Sequence, residues 1–311
     1  MSEQRVRVAV VGTGALGQHH ARVYAGLPGV ELAGVYDVDP ARASAVAERV
    51  GCRVFARLRE MLARIDAVSV AVPTVDHHRV SRVFIEAGKH VLVEKPMTAT
   101  LEEADDLIEL AEQRGVVLQV GHVERFNSAV ELLRSTASGP LFIEVHRLAS
   151  FSPRSLDIDV VLDLMIHDLD IVLALDGSQT EQVDAVGVPV LTAKFDIANA
   201  RLRFRSGLIA NLTASRISMD KLRKFRAWSP GTYVSADLVA RTAQVCRLVD
   251  GPEGRPEIRL ERMQGSDEEP LRRQLAAFAT AVRDGGVPEV SGLQGRRALE
   301  LAHAILARMS R

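Results

Sequence analysis

Apolar and polar positions follow two different rhythms along this chain, and the change falls near Gly121. Before it, short apolar runs alternate with helical stretches. Val6–Val11, Glu31–Asp37, Ala67–Val72, His90–Glu94 and Val116–Val120 are mostly Val, Ala and Leu, as expected for strands buried on both faces. Between them Ala15–Ala25, Pro40–Val50, Arg57–Arg64, His77–Ala87 and Leu101–Arg114 carry the helical signal. Regular alternation of this kind predicts an α/β fold built on a parallel, doubly wound sheet with right-handed crossovers. The acidic run Glu102–Glu112 fits the solvated face of one of these helices.

After Gly121 the texture changes. A helix is expected over Ser128–Ser135, a strand over Leu141–Leu148 and a strongly apolar helix over Val160–Leu175. From Gln182 to Met263 the segments alternate and are rich in Val, Arg and Thr, as in Ala200–Arg205, Leu208–Ser215 and Glu257–Arg262. They predict a large, mainly antiparallel open sheet with one solvated face. Leu271–Arg283 and Leu293–Met309 read as closing helices. The expected division is a first domain over 1–121 and an α+β substrate-binding and oligomerisation domain over 122–311.

Composition narrows the function. The chain has 311 residues, 47% of them hydrophobic, which is ample for two cores. Its 39 basic and 40 acidic residues leave a net charge of −1, which argues against a nucleic-acid or polybasic membrane surface. Cys52 and Cys246 have no metal or disulfide spacing and suit a reducing compartment. Val8–Val11 is too short for a signal peptide, and no run approaches a membrane span. A soluble cytoplasmic protein is expected.

Gly12-Thr13-Gly14-Ala15-Leu16-Gly17 matches G-x-G-x-x-G, and here it follows a strand and opens a helix. Gly12 would permit the tight turn, Gly14 the approach of a pyrophosphate, and Gly17 close helix–strand packing, with the helix N-terminus stabilising negative charge. Asp37 ends the next strand, where its carboxylate can accept from both adenosine ribose hydroxyls and would repel a 2′-phosphate. These features predict a Rossmann domain that prefers NAD to NADP.

Glu94-Lys95-Pro96 ends a strand, which delivers Lys95 to the carboxyl edge where open α/β sheets bind ligands. Asp163 and His167 are four residues apart, so they share a helical face within an otherwise apolar segment. By spacing alone, a satisfied core histidine is as good a reading as a site residue. Dehydrogenation of a secondary alcohol needs a hydride acceptor, a base for the hydroxyl proton and a cation for the developing alkoxide. His167 suits the proton and Lys95 the oxygen, while Asp163 could orient substrate. The adjacent pairs His19-His20 and His77-His78 do not put two imidazoles on one helical face, so no catalytic metal is expected.

GTGALG, VPTVDHH, AGKHVLVEKP, VERFN, DLMIHDLD and FATAVRDGGVPEVSG occur in this order, and the chain resembles the glucose–fructose oxidoreductase/inositol dehydrogenase (Gfo/Idh/MocA) family along nearly its whole length. The resemblance implies that Lys95, Asp163 and His167 form the catalytic set. It also implies that Pro73, Thr74, His77 and Glu94 line the cofactor cleft, that His122 lies beneath the nicotinamide near substrate, and that the open sheet forms a homodimer or homotetramer. GHVERFN with SFSPRSLDIDVVLDLMIHDLDI is most similar to a nucleotide-sugar branch, the UDP-N-acetylglucosamine 3-dehydrogenases, which supply an aminotransferase in lipid A biosynthesis. A UDP-sugar needs cations for its diphosphate. Arg125, Arg147, Arg154, Arg216, Lys221, Arg223 and Lys224 are candidates, with Arg125 and Arg154 preferred because they border the matched motifs. The alternatives are a dehydrogenase of a free sugar, inositol or polyol, and a non-catalytic NAD or metabolite sensor. Retention of Lys95, Asp163 and His167 disfavours the sensor.

Overall fold

The computed structural model describes residues 5–152, 158–252 and 255–309. Five parallel strands form the first sheet: β1 (Val6–Val11), β2 (Val30–Tyr36), β3 (Ala67–Val70), β4 (His90–Glu94) and β5 (Leu118–Gly121). Their order is β2-β1-β3-β4-β5. The connecting helices are α1 (Gly17–Ala25), α2 (Pro40–Val50), the short α3 (Leu58–Met61), α4 (Thr74–Glu86) and α5 (Leu101–Arg114). Local chemistry sets several of their ends. Asp39 caps α2 by accepting from the Ala41 and Arg42 N–H groups, and Thr100 and Glu103 form a capping box on α5. Gly51 and Gly115 close these helices in the left-handed conformation.

The expected strand over Val116–Val120 starts late. The Val116 N–H still donates to Ala111 O at the end of α5, and the Val117 N–H donates to His90 Nδ1. The chain is therefore still turning, and pairing with β4 begins at Leu118.

The second sheet has eight strands in the order β13-β12-β11-β10-β6-β9-β8-β7. They are β6 (Phe142–Leu148), β7 (Thr180–Val188), β8 (Ile197–Phe204), β9 (Ile209–Ser215), β10 (Leu222–Ser229), β11 (Thr232–Asp237), β12 (Thr242–Asp250) and β13 (Pro256–Gln264). All pairs are antiparallel except β6–β9. Burial alternates along β6 and β8, so one face is covered and the other open. The covered face packs Ile143, Val145, Leu202, Phe204 and Phe225 with residues of α6 (Ser128–Thr136), α7 (Ile166–Asp176) and α9 (Gly292–Arg308).

Contacts divide the chain into two compact units. Unit 1 runs to Val123 and also takes Glu268–Arg296; unit 2 is Glu124–Asp267 with the chain from Arg297 onward. The segment 268–296, expected in the second domain, thus lies with the first. The reason is α8 (Pro270–Asp284), whose Leu275 and Phe278 enter the same core as Val8, Val10 and Tyr24. Among the described residues, no helix is long and apolar enough to cross a membrane. Phe278→Ala should lower the unfolding free energy of unit 1 by about 3–5 kcal/mol in urea titrations followed by α8-region hydrogen exchange; a loss under about 1 kcal/mol would mean that α8 does not complete this core.

Candidate active site

The glycine loop divides its work as its sequence implies. Gly12 has φ +86°, and a Cβ there would stand 2.5 Å from the Ala71 carbonyl oxygen. A Cβ on Gly17 would collide with the Gly12 carbonyl. Both positions therefore demand glycine for packing. Gly14 differs, because the nearest atom to an added Cβ is Arg42 Nη1 at 4.0 Å. This open backbone beside the start of α1 is what an anionic group needs for close approach. Thr13 is buried, whereas Ala15 and Leu16 are exposed.

Asp37 closes the loop from the side. Its Oδ2 accepts from the Thr13 N–H at 2.7 Å and hydroxyl at 2.9 Å, and its Oδ1 accepts from the Asp39 N–H at 2.9 Å. Burial favours protonation, but these donors and the Arg42 charge outweigh it, and the pKa lies below the ordinary value. Arg42 Nη1 is 4.0 Å from Asp37 Oδ1, a neighbour not anticipated from the sequence because it comes a turn into α2 rather than directly after the acid. The open Gly14 backbone and the fixed carboxylate together fit a dinucleotide.

At the end of β4, Glu94 turns inward and is 6% exposed, while the half-buried Lys95 begins the next turn through a cis peptide to Pro96. Glu94 Oε1 is 3.1 Å from His20 Nε2, and Oε2 accepts from the Lys95 N–H at 3.3 Å. Gly121 makes room for this carboxylate, since a Cβ there would lie 2.5 Å from Oε1. Burial alone would raise the Glu94 pKa. The hydrogen bond and charge of His20, with Lys95 and His77, hold it below the ordinary value. His20 Nδ1 is 3.1 Å from Ser69 Oγ, which is 3.1 Å from the Tyr24 hydroxyl. Burial pushes Tyr24 well up, so its hydroxyl stays a donor.

His77 was expected to line the cofactor cleft. Instead it is 1% exposed, with Nδ1 2.9 Å from Pro96 O and Nε2 2.9 Å from Val72 O. Burial pulls its pKa down against these carbonyls and Glu94. Its polar atoms face backbone, so it is a strut behind Pro73 and Thr74. Pro73 is the exposed residue before α4, and Thr74 begins that helix. The sequence did carry a signal for His20: it shares the buried face of α1 with Ala21 and Tyr24.

Unit 2 carries the other expected chemical groups. A π-helical turn, Val161–Met165, precedes α7, so the helix expected over Val160–Leu175 is interrupted at Asp163. Such turns occur frequently at functional sites. Asp163 and His167 are half-buried, whereas Asp168 and Asp170 are buried. Arg147 forks onto Asp168 at 2.7 and 2.8 Å and reaches Glu124 at 3.0 Å. Arg223 donates to the same Glu124 oxygen at 2.7 Å.

Arg125, preferred for the substrate diphosphate, is placed differently. It is 4% exposed and forks onto Asp170 at 2.7 and 3.0 Å, with a further bond to the Asp170 carbonyl. A buried guanidinium matched in this way cannot leave to meet an anion without stranding Asp170. Arg216 is similarly held by Asp196 at 2.8 Å and by the Ile158 carbonyl. Arg154 lies outside the described residues. His122 is buried at the end of β5, in unit 1. Among the described residues, no group of three or more His, Cys, Asp or Glu side chains could hold a metal ion.

Comparison with known proteins agrees with this fold. The family described as an oxidoreductase family with an NAD-binding Rossmann fold matches residues 6–122. A UDP-N-acetylglucosamine 3-dehydrogenase of Acidithiobacillus ferrooxidans is 40% identical, covering 96% of this chain and 95% of its own. A solved structure of that enzyme superposes with a TM-score of 0.93 at 39% identity, covering 98% of this chain and 97% of its own. A scyllo-inositol 2-dehydrogenase (NAD(+)) of Bacillus subtilis is 30% identical over 97% of this chain and 93% of its own. The chain belongs to the Gfo/Idh/MocA oxidoreductase family.

Because the Glu94 pKa is depressed on folding, the pair stabilises unit 1 above the unfolded carboxylate pKa of about 4.3, and this contribution fades as pH falls through the folded value. Urea midpoints should therefore drop more steeply on acidification in the wild type than in Glu94→Gln; parallel profiles would show that the carboxylate is not linked to folding.

Proposed function

We propose that this protein is an NAD-dependent dehydrogenase that oxidises a secondary hydroxyl of a nucleotide-linked sugar, specifically UDP-N-acetylglucosamine at C3, giving the 3-keto sugar. The observation that carries the substrate is the likeness to the Acidithiobacillus enzyme along nearly the whole of both chains. The Gly12–Gly17 loop, with Thr13, Ala15 and Leu16, receives the pyrophosphate. Asp37 takes the ribose hydroxyls, and Pro73, Thr74, Glu94 and Lys95 border the nicotinamide. NAD is favoured over NADP because Asp37 is a buried, fixed anion, whereas Arg42 is half-exposed and shared with Asp39.

When bound, the nicotinamide accepts the hydride. The protein's residues handle the proton and the charge. His167 takes the hydroxyl proton, the Lys95 ammonium stabilises the negative charge growing on oxygen, and Asp163 orients the substrate. His122 contributes to the substrate wall beside the nicotinamide. With Arg125, Arg147 and Arg216 held in internal ion pairs, the diphosphate is left to Arg154, Lys221, Arg223 and Lys224. Arg223 is the best supported of these, because its side chain is about one-third exposed and Glu124 braces only one of its nitrogens.

The open face of the large sheet carries a cross-strand apolar row, Ile209, Phe142, Trp228, Tyr233, Cys246 and Leu260. It supports self-association into a dimer or tetramer. The chain's composition suits the cytoplasm, and the keto product suits an aminotransferase as its consumer.

NADH formation with a carbonyl trap, compared across UDP-N-acetylglucosamine, free N-acetylglucosamine and scyllo-inositol, tests the reading. The nucleotide sugar should be turned over, and Lys95→Met should lose about 100-fold or more in kcat while still binding NAD. Arg223→Ala should raise KM for the nucleotide sugar and leave KM for NAD unchanged. Turnover of inositol alone would move the substrate to free polyols. Absence of turnover with every sugar, with NAD bound, would favour a sensor.

A further inference from the structure

Two buried histidines bracket the Lys95 turn. His20 comes from α1 and meets the Glu94 carboxylate at 3.1 Å; His77 comes from α4 and meets the Pro96 carbonyl at 2.9 Å. The residues they hold are those directly before and after Lys95. We propose that His20 and His77 are positioning residues that clamp this turn and so fix where the Lys95 ammonium stands, a role that rests on the reading of Lys95 as catalytic.

The hydrogen bonds in this cluster form one buried chain. With Glu94 ionised, His20 donates from Nε2, and its Nδ1 stands 3.1 Å from the Ser69 hydroxyl. Ser69 in turn shares a hydrogen bond with the Tyr24 hydroxyl at 3.1 Å. Tyr24, Ser69 and His20 are each at most 1% exposed, so the chain ends inside the unit and has no path to carry a proton out. A chain of this form fixes orientation rather than relaying protons. Buried polar groups are costly unless matched, and an apolar core would satisfy α1 more simply. The cluster ties the carboxylate on β4 to α1 and β3, and Gly121 on β5 makes room for it.

The second clamp joins two loops. His77 Nε2 stands 2.9 Å from the Val72 carbonyl and Nδ1 2.9 Å from that of Pro96; the neutral ring donates to one of the two at a time and stands between the turn after β3 and the turn after β4. Pro73 and Thr74, expected at the cofactor, follow Val72 directly. Displacing this ring therefore moves the Lys95 turn relative to the cofactor wall. Glu94, Lys95 and His77 are the charged or titratable groups facing this cluster.

The test uses the full chain with two readouts. His20→Leu and His20→Asn cannot reach Glu94, whereas His20→Gln keeps a donor at the Nε2 position; His77→Leu removes the ring's contacts with both Val72 and Pro96. In sugar oxidation, the Leu and Asn variants should lose about 100-fold in kcat with KM for NAD little changed, and His20→Gln should recover most of that loss with an unaltered pH profile. Competitive acetylation, read by mass spectrometry against Lys89, Lys194, Lys221 and Lys224, reports the Lys95 environment without turnover. Its labelling should change in the Leu and Asn variants and return toward wild type in His20→Gln. NADH binding by fluorescence identifies the variants that fold, and if Leu fails at His20 the Asn variant decides.

Wild-type kcat and labelling in the Leu and Asn variants, with Lys95→Met inactive, would overturn the clamp and leave Lys95 catalytic. Full activity in Lys95→Met would overturn both. If wild type oxidises none of the sugars tried, labelling alone decides: unchanged Lys95 reactivity rejects the clamp, and a shift reversed by Gln supports it. A displaced pH limb in His20→Gln would mean that His20 titrates during turnover, and the positioning role would fall.

Discussion

Glu94 brings a negative charge into the interior of the Rossmann unit directly beside the lysine expected to do chemistry, and the satisfaction of that charge constrains everything around it. Desolvation opposes the carboxylate, and His20, Lys95 and His77 together overcome the opposition. The solution needs a histidine on the inner face of α1, a hydroxyl on β3 and an absent side chain at Gly121. None of these can change freely once the carboxylate is present. The carboxyl edge of the sheet is thus built around an ion as much as around an apolar core.

Unit 2 handles charge in the same way. Its helix α7 turns Asp168 and Asp170 inward onto Arg147 and Arg125, and leaves Asp163 and His167 half-buried. Buried, paired ions fix the rotation and depth of the helix, and the π turn before it sets the position of Asp163. Such pairs add little net stability relative to an apolar core, but breaking one partner is expensive. They serve here as registration marks for the residues expected at the site.

Much of this was readable in the sequence because it depends on period and local chemistry. Buried parallel strands announce themselves as apolar runs, and a glycine run between strand and helix announces a tight loop, in which Gly12 and Gly17 have no room for a side chain. The interruption at Asp163 was not readable, since a π turn has no apolar period of its own within a run such as Val160–Ile166. Arg125 was misjudged because an arginine beside a motif looks the same whether it faces substrate or Asp170. The return of 268–296 to the first unit is a tertiary fact: α8 has an ordinary amphipathic pattern that does not name the sheet it covers.

The central claim is hydride transfer from a defined carbon of a nucleotide sugar, and UDP-N-acetylglucosamine deuterated at C3 tests it most directly. The account predicts deuterium in the reduced cofactor and a C3 ketone in the sugar, both lost in His167→Ala. A reduced cofactor without deuterium, formed while the label stays on the sugar, would contradict it.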